Sequence, residues 1–197
     1  MKRKISAALL LAVMLLSLLS ACSTDRPQST PEPTAKVVAS GDCFEVTGTR
    51  SDGVTRYAYT VRDKSGNELE SAVCSEQPRV AVINKDLLGI RFYVDGKTFC
   101  RYYDVKNGRV SESFFDPFWD DGRLVAYNDF SRSHSIVVRE IFDPDGYRAE
   151  QKLDLPALTI TITACEQDEE SGEITVKYIY GDLETEGSVV LPTRPEE

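Results

Sequence analysis

The sequence predicts an all-β domain built from antiparallel hairpin repeats of about 40 residues, propeller-like or curled, with a two-sheet β-sandwich or barrel as the alternative. Three observations carry this. Several short runs alternate apolar and polar residues with a period of two. Asp-Gly, Asn-Gly and Ser-Gly pairs fall between those runs, and no stretch of eleven residues shows a helical stripe with caps.

In chain order, Tyr57, Tyr59 and Val61 alternate with polar neighbours, as do Ile90, Phe92 and Val94. Leu158, Ile160, Ile162 and Ala164 alternate with Thr159, Thr161 and Thr163, and Ile174, Val176, Tyr178 and Tyr180 complete the series. Such runs are strands with one buried face. On that count Cys165 belongs to the threonine face. The pairs Asp52-Gly53, Ser65-Gly66, Asp95-Gly96, Asn107-Gly108, Asp121-Gly122, Asp145-Gly146 and Ser171-Gly172 are hairpin signals, because glycine supplies the positive φ of twisted two-residue turns.

A longer period lies over the strands. RDKSGNELES, YDVKNGRVSES, FDPDGYRAE and DLETEGSVV stack on Gly66, Gly108, Gly146 and Gly187, at spacings of 42, 38 and 41 residues. The stretch from Asp95 to Tyr127 resembles the junction between two propeller blades of the WD40 or a related type, with Tyr103-Asp104 at the place of the WD dipeptide. The resemblance implies that a ligand or partner meets converging strand-end loops, the Phe114–Gly122 segment among them.

The N-terminus gives an address. Lys2, Arg3 and Lys4 precede an uncharged apolar run from Ile5 to Leu19, which is short for a membrane-spanning helix and reads as a signal peptide. Leu19-Ser20-Ala21-Cys22 resembles the lipobox of bacterial lipoproteins. That resemblance implies cleavage before Cys22 and a diacylglycerol on its sulfur, so residues 1–21 are the signal peptide. Residues 22–38, with Pro27, Pro31 and Pro33 among Ser and Thr, read as an extended tether, and residues 39–194 as one extracytoplasmic domain. The expected location is the outer face of the cell membrane, held by acyl chains on Cys22.

The whole chain carries a formal charge of −9, and losing the three cations of the signal peptide leaves 20 basic against 32 acidic side chains, a formal −12. Such a surface repels nucleic acid and anionic lipid, so nucleic acid is excluded as a partner. With Cys22 lipidated, Cys43, Cys74, Cys100 and Cys165 remain. Four cysteines outside the cytoplasm read as two disulfides in any of three connectivities, with 43–74 and 100–165 preferred.

The most unusual local feature is FFDPFWDDG, from Phe114 to Gly122. Pro117 breaks a central strand, leaving aromatic rings beside carboxylates. Phe118, Trp119, Asp116 and Asp120 therefore form a candidate ligand platform for a glycan or peptide. The competing expectation is that Phe114 and Trp119 supply core area while the aspartates cap a turn. Calcium-loop spacing before Gly122 and Gly146 matches at one and two of three positions, so no metal site is assigned. No catalytic motif is present, and nothing beside His134 in SRSHS nominates a nucleophile or acid.

The expected function is a non-catalytic binding or interaction domain without a cofactor, presented by a membrane-anchored lipoprotein to a glycan, peptide or envelope protein. The alternatives are a structural or assembly protein of the envelope, and a carboxylate-dependent hydrolase of cell-wall or glycan substrates.

Overall fold

The computed structural model describes residues 34–129, 135–155 and 160–194. The signal peptide, Cys22, most of the tether, Leu158 and His134 lie outside the described residues. The described chain is all-β and forms four antiparallel sheets in sequence order. The first holds β1 (Ala35–Gly41), β2 (Phe44–Ser51), β3 (Val54–Arg62) and β4 (Glu68–Cys74). The second holds β5 (Arg79–Asn84), β6 (Leu87–Val94), β7 (Lys97–Asp104) and β8 (Arg109–Phe115). The third holds β9 (Trp119–Asp120), β10 (Leu124–Asp129), β11 (Ser135–Glu140) and β12 (Arg148–Lys152), and the fourth β13 (Ile160–Gln167), β14 (Ile174–Tyr180) and β15 (Thr185–Leu191).

Every sheet is a meander in which consecutive strands are neighbours, and a new sheet starts about every 40 residues. The repeat read from the sequence is therefore one sheet. Strand β1 already begins at Ala35, ahead of the boundary expected at residue 39.

The turns explain the period. Asp52-Gly53 and Asp95-Gly96 link strands paired at Ser51↔Val54 and Val94↔Lys97, and all four turn residues have positive φ. These are the tight primed turns whose twist matches that of the strands. Gly66, Gly108 and Gly146 sit in equivalent turns, between the third and fourth strands of their sheets. Gly187 does not. It lies inside β15 opposite Tyr178, where an added Cβ would come within 2.4 Å of the ring. Its place in the repeat is a coincidence of spacing, and its small size serves an aromatic packed over the backbone.

Side chains from neighbouring sheets interlock in three layers. Val46, Tyr59 and Val61 of the first sheet meet Leu88, Ile90 and Tyr103 of the second. Leu87, Cys100, Tyr102 and Phe114 of the second meet Val125 of the third and Ile141 just beyond β11. Leu124, Ala126, Ile136 and Val138 of the third meet Ile174, Val176, Tyr178 and Leu191 of the fourth. Each neighbouring pair is locally a sandwich, and the sheets follow one another in a row with no closed barrel among the described residues.

The two middle sheets are buried on both faces, which is why Leu87, Leu88, Gly89 and Ile90 are all buried in succession. The end sheets turn largely polar faces outward, with Val37, Val73 and Val190 exposed among the polar residues. By register, Glu45, Thr47, Thr60 and Ser71 share the outer face of the first, and Thr161, Glu166, Thr175, Lys177 and Ser188 that of the fourth. Terminal repeats of a stacked array need such faces to stay soluble.

The cysteines correct the disulfide expectation. Cys43, Cys74, Cys100 and Cys165 are all free thiols. The Cys43 carbonyl accepts from Arg62 N at one end of β3, whereas Cys74 pairs with Tyr57 near the other. That separation is about 16 Å along a strand, beyond the reach of a bridge. Cys100 lies between the second and third sheets and Cys165 on the fourth, with the third sheet between them. The face of Cys165 also differs from the expectation. A bulge between Ile162 and Ala164 resets the alternation, so Cys165 packs on the core with Ile160 and Ile162.

Burial pushes the Cys100 and Cys165 thiols up to about 11. Without reductant, native Cys100 should resist Ellman's reagent, and four thiols besides Cys22 should titrate after unfolding in guanidinium. A count of two or fewer would restore the bridges.

Candidate functional site

The antiparallel order sends the first-to-second strand turn of every sheet, and the third-to-fourth strand turn of each four-stranded sheet, to one edge of the row. Bonds between the turns hold that edge together. Lys64 N donates to the Val105 carbonyl (2.9 Å), Ile141 N to that of Arg123 (2.9 Å), and Tyr147 Oη to that of Pro192 (2.7 Å).

An aspartate opens a turn in each sheet along this edge and accepts from the backbone N–H groups that the turn leaves without a ladder partner. Asp63 Oδ1 accepts from Ser65 and Asn67, and Asp104 Oδ1 from Asn107. Asp121 Oδ1 accepts from Arg123 and Leu124, Asp143 Oδ1 from Asp145, and Asp168 Oδ1 from Glu170 and Ser171. The glycines of the dipeptides point to these turns, but an aspartate at the head of the turn is the more regular signal. It also accounts for Asp143-Pro144-Asp145-Gly146 as a turn.

A cleft of about 400 Å3 opens on this edge between the turns of the second and third sheets. Asn84 and Asp86 come from the β5–β6 turn, Asp104, Lys106, Asn107 and Arg109 from the β7–β8 turn, and Arg123 from the β9–β10 turn. Glu140, Phe142 and Asp143 close the far wall.

Ion pairs organise the cleft. Arg109 donates through Nε (3.1 Å) and Nη2 (2.7 Å) to Asp104 Oδ2, and its guanidinium lies 4.8 Å from the centroid of the Phe142 ring. Arg123 spans Glu140 Oε1 (3.3 Å) and the Thr193 carbonyl (3.0 Å), and Lys64 pairs with Asp86. Burial alone would raise the Asp104 pKa, but hydrogen bonds from Asn107 and Arg109 outweigh it and hold the carboxyl below its ordinary value.

The pairs share an orientation. Arg109 is 56 % exposed against 11 % for Asp104, Arg123 55 % against 28 % for Glu140, and Lys64 47 % against 26 % for Asp86. In each pair the carboxylate sits behind and the cation faces water.

The residues singled out in FFDPFWDDG are not gathered on one surface. Phe114 is buried between the second and third sheets, while Phe118 and Trp119 pack on the core between the third and fourth. Asp116 is exposed in the preceding turn with a φ of 36°. Trp119 and Asp120 form the two-residue strand β9, so their side chains leave opposite faces. Asp120 is half-buried towards the second sheet, where Tyr102 Oη donates to it (3.2 Å), and desolvation raises its pKa despite that bond. The buried Pro117 offers its carbonyl to Arg91 (2.9 Å).

A second polar cluster lies between the first and second sheets. Glu70 accepts from Arg101 Nη1 (2.6 Å), Tyr59 Oη (2.9 Å) and Tyr103 Oη (3.0 Å). Desolvation works against the Glu70 carboxylate, yet these donors hold its pKa below the ordinary value. These partners all come from the fold itself, which makes the cluster a structural clasp.

Comparison with known protein families, with curated proteins and with solved structures finds no match to this chain.

Proposed function

We propose that this protein is a lipoprotein anchored through acyl chains on Cys22 to the extracytoplasmic face of a membrane, where it presents a non-catalytic all-β binding domain. The cleft on the turn edge carries the binding part of this reading. It gathers charged groups from turns far apart in sequence and fixes them before any ligand arrives, which lowers the entropy lost on binding.

The same geometry favours binding over hydrolysis. Asp104 and Glu140 are held by guanidinium groups, Asp86 by an ammonium and Asp143 by its own turn, so these carboxylates are engaged in structure.

The anchor is tested by growing cells that express the full chain with radiolabelled palmitate. The protein should take up label and fractionate with membranes, and Cys22→Ala should abolish both. Label retained in Cys22→Ala, or a soluble unlabelled wild type, would overturn the anchored reading.

A further inference from the structure

The geometry points to an anionic ligand for the turn-edge cleft: a group bearing carboxylate or phosphate oxygens, bound between Lys106, Arg109 and Arg123. This rests on the binding-domain reading and adds the chemistry of the ligand. A chain with a net charge of −9 would be expected to repel anions, so the sign of this cleft has to come from placement. Placement supplies it: the acidic partners are recessed and the basic partners face outward. An approaching anion meets the guanidinium groups of Arg109 and Arg123 before the carboxylates of Asp104 and Glu140 behind them.

Arg109 keeps one edge of its guanidinium open to such an anion. Its Nε and Nη2 are committed to Asp104 and its flat face rests on Phe142, which leaves Nη1 without a bond among the described residues. A guanidinium fixed on two sides loses little freedom when a third group binds, and its planar edge suits carboxylate and phosphate oxygens. Arg123 is fixed in the same manner, by Glu140 and the Thr193 carbonyl. Lys106 is exposed in the β7–β8 turn, forms no hydrogen bond or close ion pair among the described residues beyond a longer-range attraction to Asp86, and adds a third charge on a flexible stem. Asn84 and Asn107 supply neutral amides at the same mouth. Asp143 is the one exposed carboxylate among the described residues lining the cleft, and its Oδ1 is occupied by Asp145 N.

The test is a calorimetric titration of the intact protein in a neutral maltoside detergent with three probes: triglutamate, glycerol 3-phosphate oligomer and trilysine. Triglutamate, the phosphate oligomer or both should bind, trilysine should not, and affinity should fall as sodium chloride is raised. The stronger of the two anions names the source of the oxygens. Lys106→Gln, which breaks no internal bond, should weaken binding at least threefold, and Arg109→Gln about tenfold as one charge-assisted contact is lost. Lys177→Gln, on the outer face of the fourth sheet, should leave affinity unchanged.

Silence with both anions, equal affinity in Lys106→Gln and wild type, or tighter binding of trilysine than of either anion would overturn the proposal. Those outcomes leave palmitate labelling untouched, so failure here is distinguishable from failure of the anchored reading.

Discussion

Phe114→Ala should destabilise the domain by about 3–5 kcal/mol, the range for truncating a buried aromatic in a well-packed core. Phe114 is 2 % exposed at the centre of the layer between the second and third sheets. Its ring centroid lies 5.8 Å from that of Tyr102 and 5.5 Å from that of Tyr127, and the Arg139 guanidinium stands 5.6 Å above it. Removing the ring leaves a cavity and strips a cation–π contact from an arginine that is itself 8 % exposed. Phe114 belongs to β8, the edge strand of the second sheet, and its neighbours Cys100 on β7 and Val125 on β10 belong to regular strands, so no loop lies ready to collapse into the gap. In urea the midpoint should fall with the slope unchanged, and Phe114→Leu should recover more than half of the loss. A loss below about 1 kcal/mol would mean that this ring is not the core residue its position makes it.

The local parts of this fold are legible in the sequence and the long-range parts are not. Asp52-Gly53 and Asp95-Gly96 form the tight turns that those pairs predict, because two residues determine a primed turn. The 40-residue period marks the sheets because each needs the same set of strands and turns. Regular spacing is no guide by itself, however: Gly187 fits the period and does a different job, which only its neighbour across the sheet reveals.

Cys165 leaves the threonine face that strict alternation predicts, because one bulge shifts every later residue of β13 by half a period. The pair 43–74 looks reasonable in sequence and fails in space, since the two cysteines lie towards opposite ends of β3. In FFDPFWDDG the clustering along the chain is undone by the strand itself, which sends Trp119 and Asp120 to different layers. The cleft is illegible for a related reason. Its walls come from turns spread between Asn84 and Asp143, and the motifs of those turns signal hairpins and not a ligand.

Glu70→Ala is the second large effect, at about 2–4 kcal/mol. Glu70 belongs to β4 of the first sheet, and Arg101 and Tyr103 to β7 of the second, so this carboxylate ties two layers together. Its loss leaves Arg101 Nη1 and the hydroxyls of Tyr59 and Tyr103 without their carboxylate acceptor. Arg101 keeps its bonds to Ser113 Oγ and some access to water, which places the cost below that of a fully buried charge. Glu70→Gln retains an acceptor oxygen without the charge and should cost about half as much.

The pH dependence separates the charge from the packing. A carboxyl whose folded pKa lies below its unfolded value contributes stability that is present above the unfolded value, about 4.3 for Glu, and is lost as pH falls through the folded one. The stability difference between wild type and Glu70→Gln should therefore be full at pH 7 and shrink as pH drops below about 4. Asp104 shifts in the same direction, so both proteins weaken in acid, but the wild type weakens more. Urea titrations at about pH 7 and about pH 3.5 measure both differences. An equal gap at the two pH values would mean that Glu70 contributes through shape alone and that its charge is not what joins the first sheet to the second.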